Sequence, residues 1–500
     1  MISLVTDHLL TWIIAIPFLG IAILSIVRDE ATIRPIALTC TLLDLGLFLI
    51  LWFGFDPDQI GPQFVQRMPW MPSLNIQYAV GVDGISVLML LLTILLSPMC
   101  ILCSWHAITT HVRTFMMLLL LVQGAMLVVF SALDLFLFFM MWEITMIPMY
   151  FLIILWGGPN RIAAGLKFVL YSLTGSLLLL VGILALHVEG GQTFEIAELS
   201  TRSYTANSQW WMFLAFSLSF AIKLPMLPFH NWLPDAHAEA PTAGSVILAG
   251  VLLKMGGYGF LRICLPMFPD ASILFAPWII WLSVAAVLYG GLMALAQDDL
   301  KKLIAYSSIS HMGFVTLGIF SFTEQGIQGA VLQMFNHGIV TGAIFLAVGQ
   351  LYERTHDRSV QAYGGLHRRM PRFASLFCVF TVASFGLPGT GSFIGEFLVL
   401  VGASSVSYWA VLLSLGGILL AASYMLWMLQ RVVLGQPNTT TAAALPDLTS
   451  RETATLAPLA LMVLWIGVYP AVLTHRMSND VAAIVQQVNP TSQSVVAKLP

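Results

Sequence analysis

Charge is the first thing this sequence lacks. Only 9% of its 500 residues are Asp, Glu, Lys or Arg, against about 25% in an ordinary soluble chain. Apolar runs of about twenty residues recur along its whole length, which marks an all-α polytopic membrane protein rather than a soluble one. The net charge of −3 says little where lipid contact dominates. Cysteine is also scarce: Cys40, Cys100, Cys103, Cys264 and Cys378 all fall in or beside apolar helices. Cys100 and Cys103 make a C-x-x-C inside PMCILCSW. A redox or metal role would need a partner set and an exposed turn, so they read as small buried hydrophobes. There is no nucleotide fingerprint, cysteine cluster, basic tract or nucleic-acid module. No transit peptide is expected, and no cleavable signal, because the first apolar run leads to Arg28 and a second span.

What is present is a series of about fourteen predicted membrane helices between residues 9 and 474, with a short polar tail beyond 475. The loop 54–83 is long enough to fold over one membrane face. Lysine and arginine crowd the odd-numbered loops and their margins, as at Arg28, Arg34, Lys301, Lys302, Arg368 and Arg369. The even-numbered loops and the tail hold only Arg67, Arg202, Arg262, Arg476 and Lys498. That bias predicts cytoplasmic odd loops and both termini on the outer, periplasmic side.

Two spans are spoiled in the same way. Span 7 (209–229) contains AIKLPMLPF and span 12 (373–401) contains SFGLPGTGSF. Each sets Leu-Pro within a long apolar segment and follows it with helix breakers. The two lie five spans apart, an odd number, so they would cross the membrane in opposite directions. Interrupted helices at matching positions of an inverted repeat mark many ion-coupled transporters, with the site at the break. The expected organisation is 1–113 for helices 1–3 and the external loop, 114–270 for the first five-helix repeat and 271–435 for the second. Residues 436–500 then supply helix 14 and the tail.

Ionisable side chains lie at membrane depth in both repeats. With ~1.5 Å of rise per residue and a ~30 Å apolar core, Glu143, Lys223, Lys254, His311 and His337 fall near the midplane, and Glu396 lies just beyond the break of span 12. A charge at that depth costs a few kcal/mol, so it faces protein or water and has a partner. Any one could be structural: Glu143 with Lys223 as a helix clamp, either histidine as a hydrogen-bonded core residue. Six titratable groups at comparable depth exceed what clamping needs and fit a proton relay, in which each group is held in either protonation state. The prolines of span 7 then free backbone carbonyls beside Lys223 and keep the site wet and movable. Asp44 lies outside the repeats and reads as a contact or helix-terminal group. His230, Asp235, His237 and Glu239 crowd the segment after the break. Their spacing matches no standard metal site, and a proton-uptake or docking role suits them better.

Four stretches are specific enough for a family resemblance: KLPMLPFHNWLPDAHAEAPTAGSVILAGVLLK (223–254), GPNRIAAGLKFVLYSLTGS (158–176), LKKLIAYSSISHMG (300–313) and LPGTGSFIGEF (387–397). They resemble the antiporter-like membrane subunits of respiratory complex I over spans 3 to 13. Glu396 stands where L-type and N-type relatives are expected to carry lysine, and the chain ends soon after span 14 without the long transverse helix of the L type. The resemblance implies fourteen helices with two inverted five-helix repeats and discontinuous helices 7 and 12. It implies that Glu143, Lys223, Lys254 and Glu396 are proton-channel residues, with His311 and His337 linking the half-channels. It further implies a translocase subunit of a bacterial inner membrane, driven by electron transfer from NADH to quinone in other chains. This chain itself would bind no cofactor: NADH, FMN, iron–sulfur clusters and quinone would sit elsewhere in the complex. Its partners would be L-type and N-type membrane neighbours, the peripheral arm and the lipid bilayer, with no nucleic acid. A multi-subunit cation/proton antiporter or a proton-pumping hydrogenase shares the span 7 motif and is the nearest alternative. A purely structural membrane scaffold is the alternative of another class.

Overall fold

The computed structural model describes residues 8–436 and 445–488. It is 79% helical, and the one sheet among the described residues is a two-stranded hairpin. The chain opens with α1 (Leu9–Ile26) and α2 (Glu30–Gly54), then the hairpin β1 (Gln63–Met71) and β2 (Ile76–Val82). There follow α3 (Gly84–Ala107), α4 (Val112–Val129), α5 (Leu135–Trp156), α6 (Arg161–Glu189), α7 (Ala206–Lys223) and the short α8 (Trp232–Glu239). The second half holds α9 (Thr242–Met267), α10 (Pro269–Leu295), α11 (Leu300–Ile319), α12 (Glu324–Thr355), α13 (Pro371–Ser384) and α14 (Gly391–Ser404). The chain closes with α15 (Tyr408–Leu434), α16 (Ser450–Val468) and α17 (Ala471–Val488). Among the described residues, eleven helices are long and apolar enough to cross a membrane: α1–α6, α9, α10, α12, α15 and α16.

Short polar side chains start many of these helices. Asp83 accepts from the backbone N–H groups of Ile85 and Ser86, Asp134 from those of Phe136 and Leu137, and Asp299 from those of Lys301 and Lys302. Each pair satisfies donors that a helix start leaves without intrahelical partners.

Burial sorts the helices into an outer ring and a centre. On α6, Leu170, Leu173, Leu177, Val181, Leu184 and Val188 are exposed at helical spacing, while Ser172, Ser176, Leu179 and Ile183 face inward. An exposed aliphatic stripe with small or polar residues on the packed side suits a helix that meets lipid. At the centre, the most apolar window of α12 is wholly buried, enclosed by α3, α9, α11, α13, α14, α16 and α17. Two glycine contacts let neighbours come close to it. A Cβ on Gly338 of α12 would lie 2.6 Å from the Gly250 carbonyl of α9, and one on Gly395 of α14 would lie 2.8 Å from Gln333 Oε1. Small residues allow this backbone approach without a large side chain between.

The two spoiled spans are broken helices. α7 stops at Lys223, residues 224–231 form turns, and α8 resumes at Trp232. The carbonyl of Ile222, which the break frees, accepts a hydrogen bond from Trp232 Nε1 at 2.8 Å. α13 stops at Ser384 and α14 begins at Gly391, with Gly386 and Gly389 at φ +73° and +95°. Only glycine adopts those angles freely.

One expectation needs correction. Residues 489–500 lie outside the described residues, and 475–488 are no polar tail: they belong to the amphipathic helix α17. Its Leu473, Met477, Val481 and Ile484 are buried, and Asp480 accepts from the backbone N–H groups of Gly84 (2.7 Å) and Gly61 (3.0 Å). Its mixed composition hid an apolar stripe at helical spacing. Of the two readings of Asp44, the structure has the contact: it lies mid-way along α2, fully buried, and accepts from Gln123 Nε2 at 2.6 Å.

Candidate functional site: a buried row of titratable groups

Four of the six candidate residues come together beside α12. Lys254 Nζ of α9 lies 2.7 Å from His337 Nδ1, and also donates to the carbonyl of Ala249. The His337 and His311 rings are 5.7 Å apart between centroids. His311 Nδ1 of α11 lies 2.9 Å from Glu396 Oε1 of α14. All four residues are at most 3% exposed. The result is a row from α9 through α12 and α11 to the broken α13–α14 span.

Local backbone aims each member. Residues Leu248–Leu252 and Phe260–Cys264 of α9 are π-helical and flank the α-helical stretch Leu253–Gly259 that carries Lys254. Single π turns occur often at functional sites and disturb the i→i−4 ladder. Here the Ala249 carbonyl, inside the first π turn, is engaged by the ammonium of Lys254. The close approach of Gly338 to Gly250 brings Lys254 to His337, and that of Gly395 to Gln333 brings Glu396 to His311.

The hydrogen bonds constrain the protons. An ammonium is donor-only, so when Lys254 is charged His337 Nδ1 accepts from it. When Glu396 is a carboxylate it can only accept, so His311 Nδ1–H then donates to it, a charge-assisted bond between two buried groups. The two Nε2 atoms have no hydrogen-bond partner among the described residues.

The other two candidates stand apart from this row and from each other. Lys223, the last residue of α7, is 2% exposed, and its Nζ has no hydrogen-bond partner among the described residues. The ammonium lies 5.4 Å from the Trp142 ring centroid and 5.6 Å from that of Phe168, a cation–π setting at a helix end whose dipole favours a cation. Glu143, next to Trp142 on α5, is only half-buried. The alternative of a Glu143–Lys223 clamp finds no contact behind it, since no ion pair within 4 Å joins the two among the described residues and Lys223 Nζ has no hydrogen-bond partner there. The Trp142 ring lies beside the ammonium instead.

Two partners escaped the sequence reading. Gln333 donates from Nε2 to Glu396 Oε1 at 2.9 Å, and Asn336 donates from Nδ2 to the Gly391 carbonyl at 2.8 Å, at the start of α14. Both lie in QMFNHG with His337, three polar residues on adjoining turns in the buried middle of α12. That spacing was the available signal. The four residues after the α7 break do not converge. His230 packs edge-on against Tyr289, Asp235 pairs with Lys167 at 2.7 Å, and His237 stacks on Phe345. Glu239 accepts from the Asn160 N–H at 2.8 Å. No group of three or more metal-binding side chains occurs among the described residues. Cys100 and Cys103 are buried free thiols.

Comparison with known proteins gives this geometry a context. Residues 132–421 match the family model described as NADH:quinone oxidoreductase/Mrp antiporter, TM. The chain is 45% identical over 498 residues to the NADH-quinone oxidoreductase subunit M of Rhodobacter capsulatus, covering 96% of this chain and 97% of that one. It is also 45% identical over 457 residues to NADH-ubiquinone oxidoreductase chain 4 of Chondrus crispus, covering 91% and 93%. Among solved structures it superposes on a chain of respiratory complex I from Thermus thermophilus with bound NADH, with a TM-score of 0.87, 31% identity and coverage of 96% and 99%. A chain of the Mrp complex from Dietzia shares the fold, with a TM-score of 0.83 at 22% identity.

Proposed function

The chain belongs to the NADH:quinone oxidoreductase/Mrp antiporter transmembrane family, and we propose that it carries protons by way of Glu143, Lys223, Lys254, His337, His311 and Glu396, the last four forming the contact row and the first two standing apart from it. It is a proton-pumping membrane subunit of an NADH:quinone oxidoreductase, and the redox chemistry resides in other subunits. The observation that supports the site assignment is the two contacts Lys254–His337 and His311–Glu396, whose histidine rings lie 5.7 Å apart between centroids.

In this reading α7, α11 and the broken α13–α14 pair bring the eleven apolar helices to fourteen spans. Residues 114–270 and 271–435 are the inverted repeats, between 1–113 and 436–500. The two breaks sit at equivalent positions, one beside Lys223 and one beside Glu396. Each supplies a place where the backbone turns without a full helical ladder, which is where substrate ions bind in many inverted-repeat transporters. The odd-numbered loops face the cytoplasm of a bacterial cell, and both termini face outward. L-type and N-type subunits flank the chain in the membrane.

A proton held on Lys254 passes to His337 Nδ1 along the existing 2.7 Å contact. A second proton leaves the His337 ring at Nε2 for His311, and His311 releases one from Nδ1 to Glu396. No electron moves on this chain, and each transfer breaks one N–H bond as it forms an N–H or O–H bond. Lys223 is the control in this reading, and its charge state answers to that of Glu143.

The test is NADH-driven proton translocation by the assembled complex carrying Lys223→Ala or Glu396→Ala, with assembly verified on native gels. We expect both to lose most of the pumping. Full coupling in both would remove the channel assignment. Co-purification with an NADH-oxidising peripheral arm separates this reading from sodium/proton exchange by a free-standing antiporter.

A further inference from the structure

α15 presents an apolar stripe along its whole length. Tyr408, Trp409, Leu412, Leu413, Leu419 and Leu426 are exposed, Leu419 by 71%. Trp409 and Trp427 of this helix are separated by about five turns, so they share one face, with about 27 Å of rise between them. That is close to the ~30 Å thickness of a hydrocarbon core. Aromatic rings at both boundaries anchor a helix whose face meets lipid. A face covered by a neighbouring subunit has no use for such a pair.

The end of this stripe on the odd-loop side is basic. Arg431 is exposed, and its guanidinium carbon lies 4.7 Å from the centroid of the Trp427 ring. The short turn Leu366–Arg369 packs on Gln430–Leu434, and His367 Nδ1 donates to the Val433 carbonyl at 2.8 Å. That contact sets Arg368 and Arg369, both exposed, beside the end of α15, and the exposed Arg372 follows in the first turn of α13. None of the four arginines forms an ion pair among the described residues. The acid that touches this edge, Asp447, is held by backbone: it accepts from the N–H groups of Arg372 (3.0 Å), Phe373 (3.2 Å) and Leu448 (2.8 Å). Orienting the chain in the membrane needs only positive charge, and lysine would serve. Arginine adds a planar fork that donates two parallel hydrogen bonds to a phosphate.

We propose that this edge binds an anionic phospholipid of the leaflet on the odd-loop side, its phosphodiester headgroup held by Arg431, Arg368, Arg369 and Arg372 and its acyl chains lying on the exposed leucines of α15. The surface offers both halves of such a molecule in order: fork donors at the boundary, then aliphatic side chains towards the bilayer centre. The Trp427 ring holds Arg431 by a cation–π contact at the level of the headgroups. Basic clusters just beyond the cytoplasmic end of a transmembrane helix attract anionic lipids. An acidic segment of a neighbouring subunit also matches the charge, but it leaves the aromatic pair and the leucine stripe without a reason. The site lies outside the proton row and stands or falls independently of the pump reading.

Hydrogen–deuterium exchange of the assembled complex in lipid nanodiscs tests this. The discs hold phosphatidylcholine alone, phosphatidylcholine with phosphatidylglycerol, or phosphatidylcholine alone with inorganic phosphate in the buffer. Amides of residues 366–372 and 430–435 should exchange more slowly with phosphatidylglycerol than in the other two. Arg431→Gln should raise the phosphatidylglycerol content that gives half of this protection about fivefold, the share of one basic residue near an anionic surface. Equal exchange in all three discs overturns the site, and so does protection that Arg431→Gln leaves unchanged. Protection already complete in phosphatidylcholine alone means that protein covers the face, and it overturns the site too. Protection by inorganic phosphate equal to that by the lipid overturns it as well, since the acyl chains then contribute nothing. The comparison of discs uses the parent complex, so it decides even if Arg431→Gln fails to assemble.

Discussion

His311 and Glu396 lie 85 residues apart in sequence, yet Nδ1 of one and Oε1 of the other are 2.9 Å apart inside the bundle. The contact joins a continuous helix, α11, to the second half of a broken one, α14. Glu396→Gln keeps the shape and a hydrogen-bond acceptor for His311 but has no carboxylate to take a proton. The complex should assemble, and proton translocation in sealed vesicles should fall about tenfold or more. Unchanged pumping would make the contact purely structural.

Gln333 holds the same carboxylate oxygen from the other side. Gln333→Leu removes that donor from a buried acceptor and should cost about 1–3 kcal/mol, seen as a lower unfolding midpoint of the purified complex. The rate of pumping should fall while the NADH oxidation of the peripheral arm stays at the parent level.

Gly84 lies where α17 crosses the start of α3. A Cβ there would stand 1.9 Å from the Arg476 carbonyl, a distance no real contact tolerates. Gly84→Ala should push α17 away from the bundle and lose about 1–3 kcal/mol as an overpacked site. Limited proteolysis within residues 471–488 should then be faster than in the parent chain.

The docking of α17 should also depend on pH. Burial, and next the charge of Asp83, raise the Asp480 carboxyl from 3.8 to about 6; N–H bonds from Gly84 and Gly61 and the charge of Arg262 oppose this. A carboxyl raised on docking binds more protons when docked than when released, so the docked state gains as pH falls from about 6 towards about 4. Protection of the Gly61 and Gly84 amides, corrected for intrinsic exchange, should rise over that window. Asp480→Asn should flatten the dependence.

The sequence exposed the two breaks and the row of buried charges because proline, lysine and glutamate are costly inside a bilayer and stand out against an apolar background. Lys223, Lys254 and Glu396 could be found from depth alone. What depth cannot supply is which groups touch. Glu143 and Lys223 share a level but not a contact, since the Trp142 and Phe168 rings take the space around the ammonium. Lys254 meets His337 only because Gly338 and Gly250 let two helices close on each other, a relation between distant glycines that periodicity does not carry. Gln333 and Asn336 were visible as polar residues near His337, but amides carry no charge penalty and drew no notice. The helix α17 was hidden because its polar face dominates its composition.

The π turns of α9 set a phase. Each helical residue advances the side chain by about 100°, since 3.6 residues make a turn, and a π turn carries one residue more than an α turn. Leu248–Leu252 therefore works as an insertion that re-clocks Leu253–Gly259, and with it Lys254, against the turns before it; Phe260–Cys264 does the same again before the helix ends. Removing one residue from the first π turn would swing the ammonium roughly a quarter of the way round the helix axis without altering any ionisable group. The direction in which this lysine points is thus encoded by the number of residues before it, and not by their chemistry.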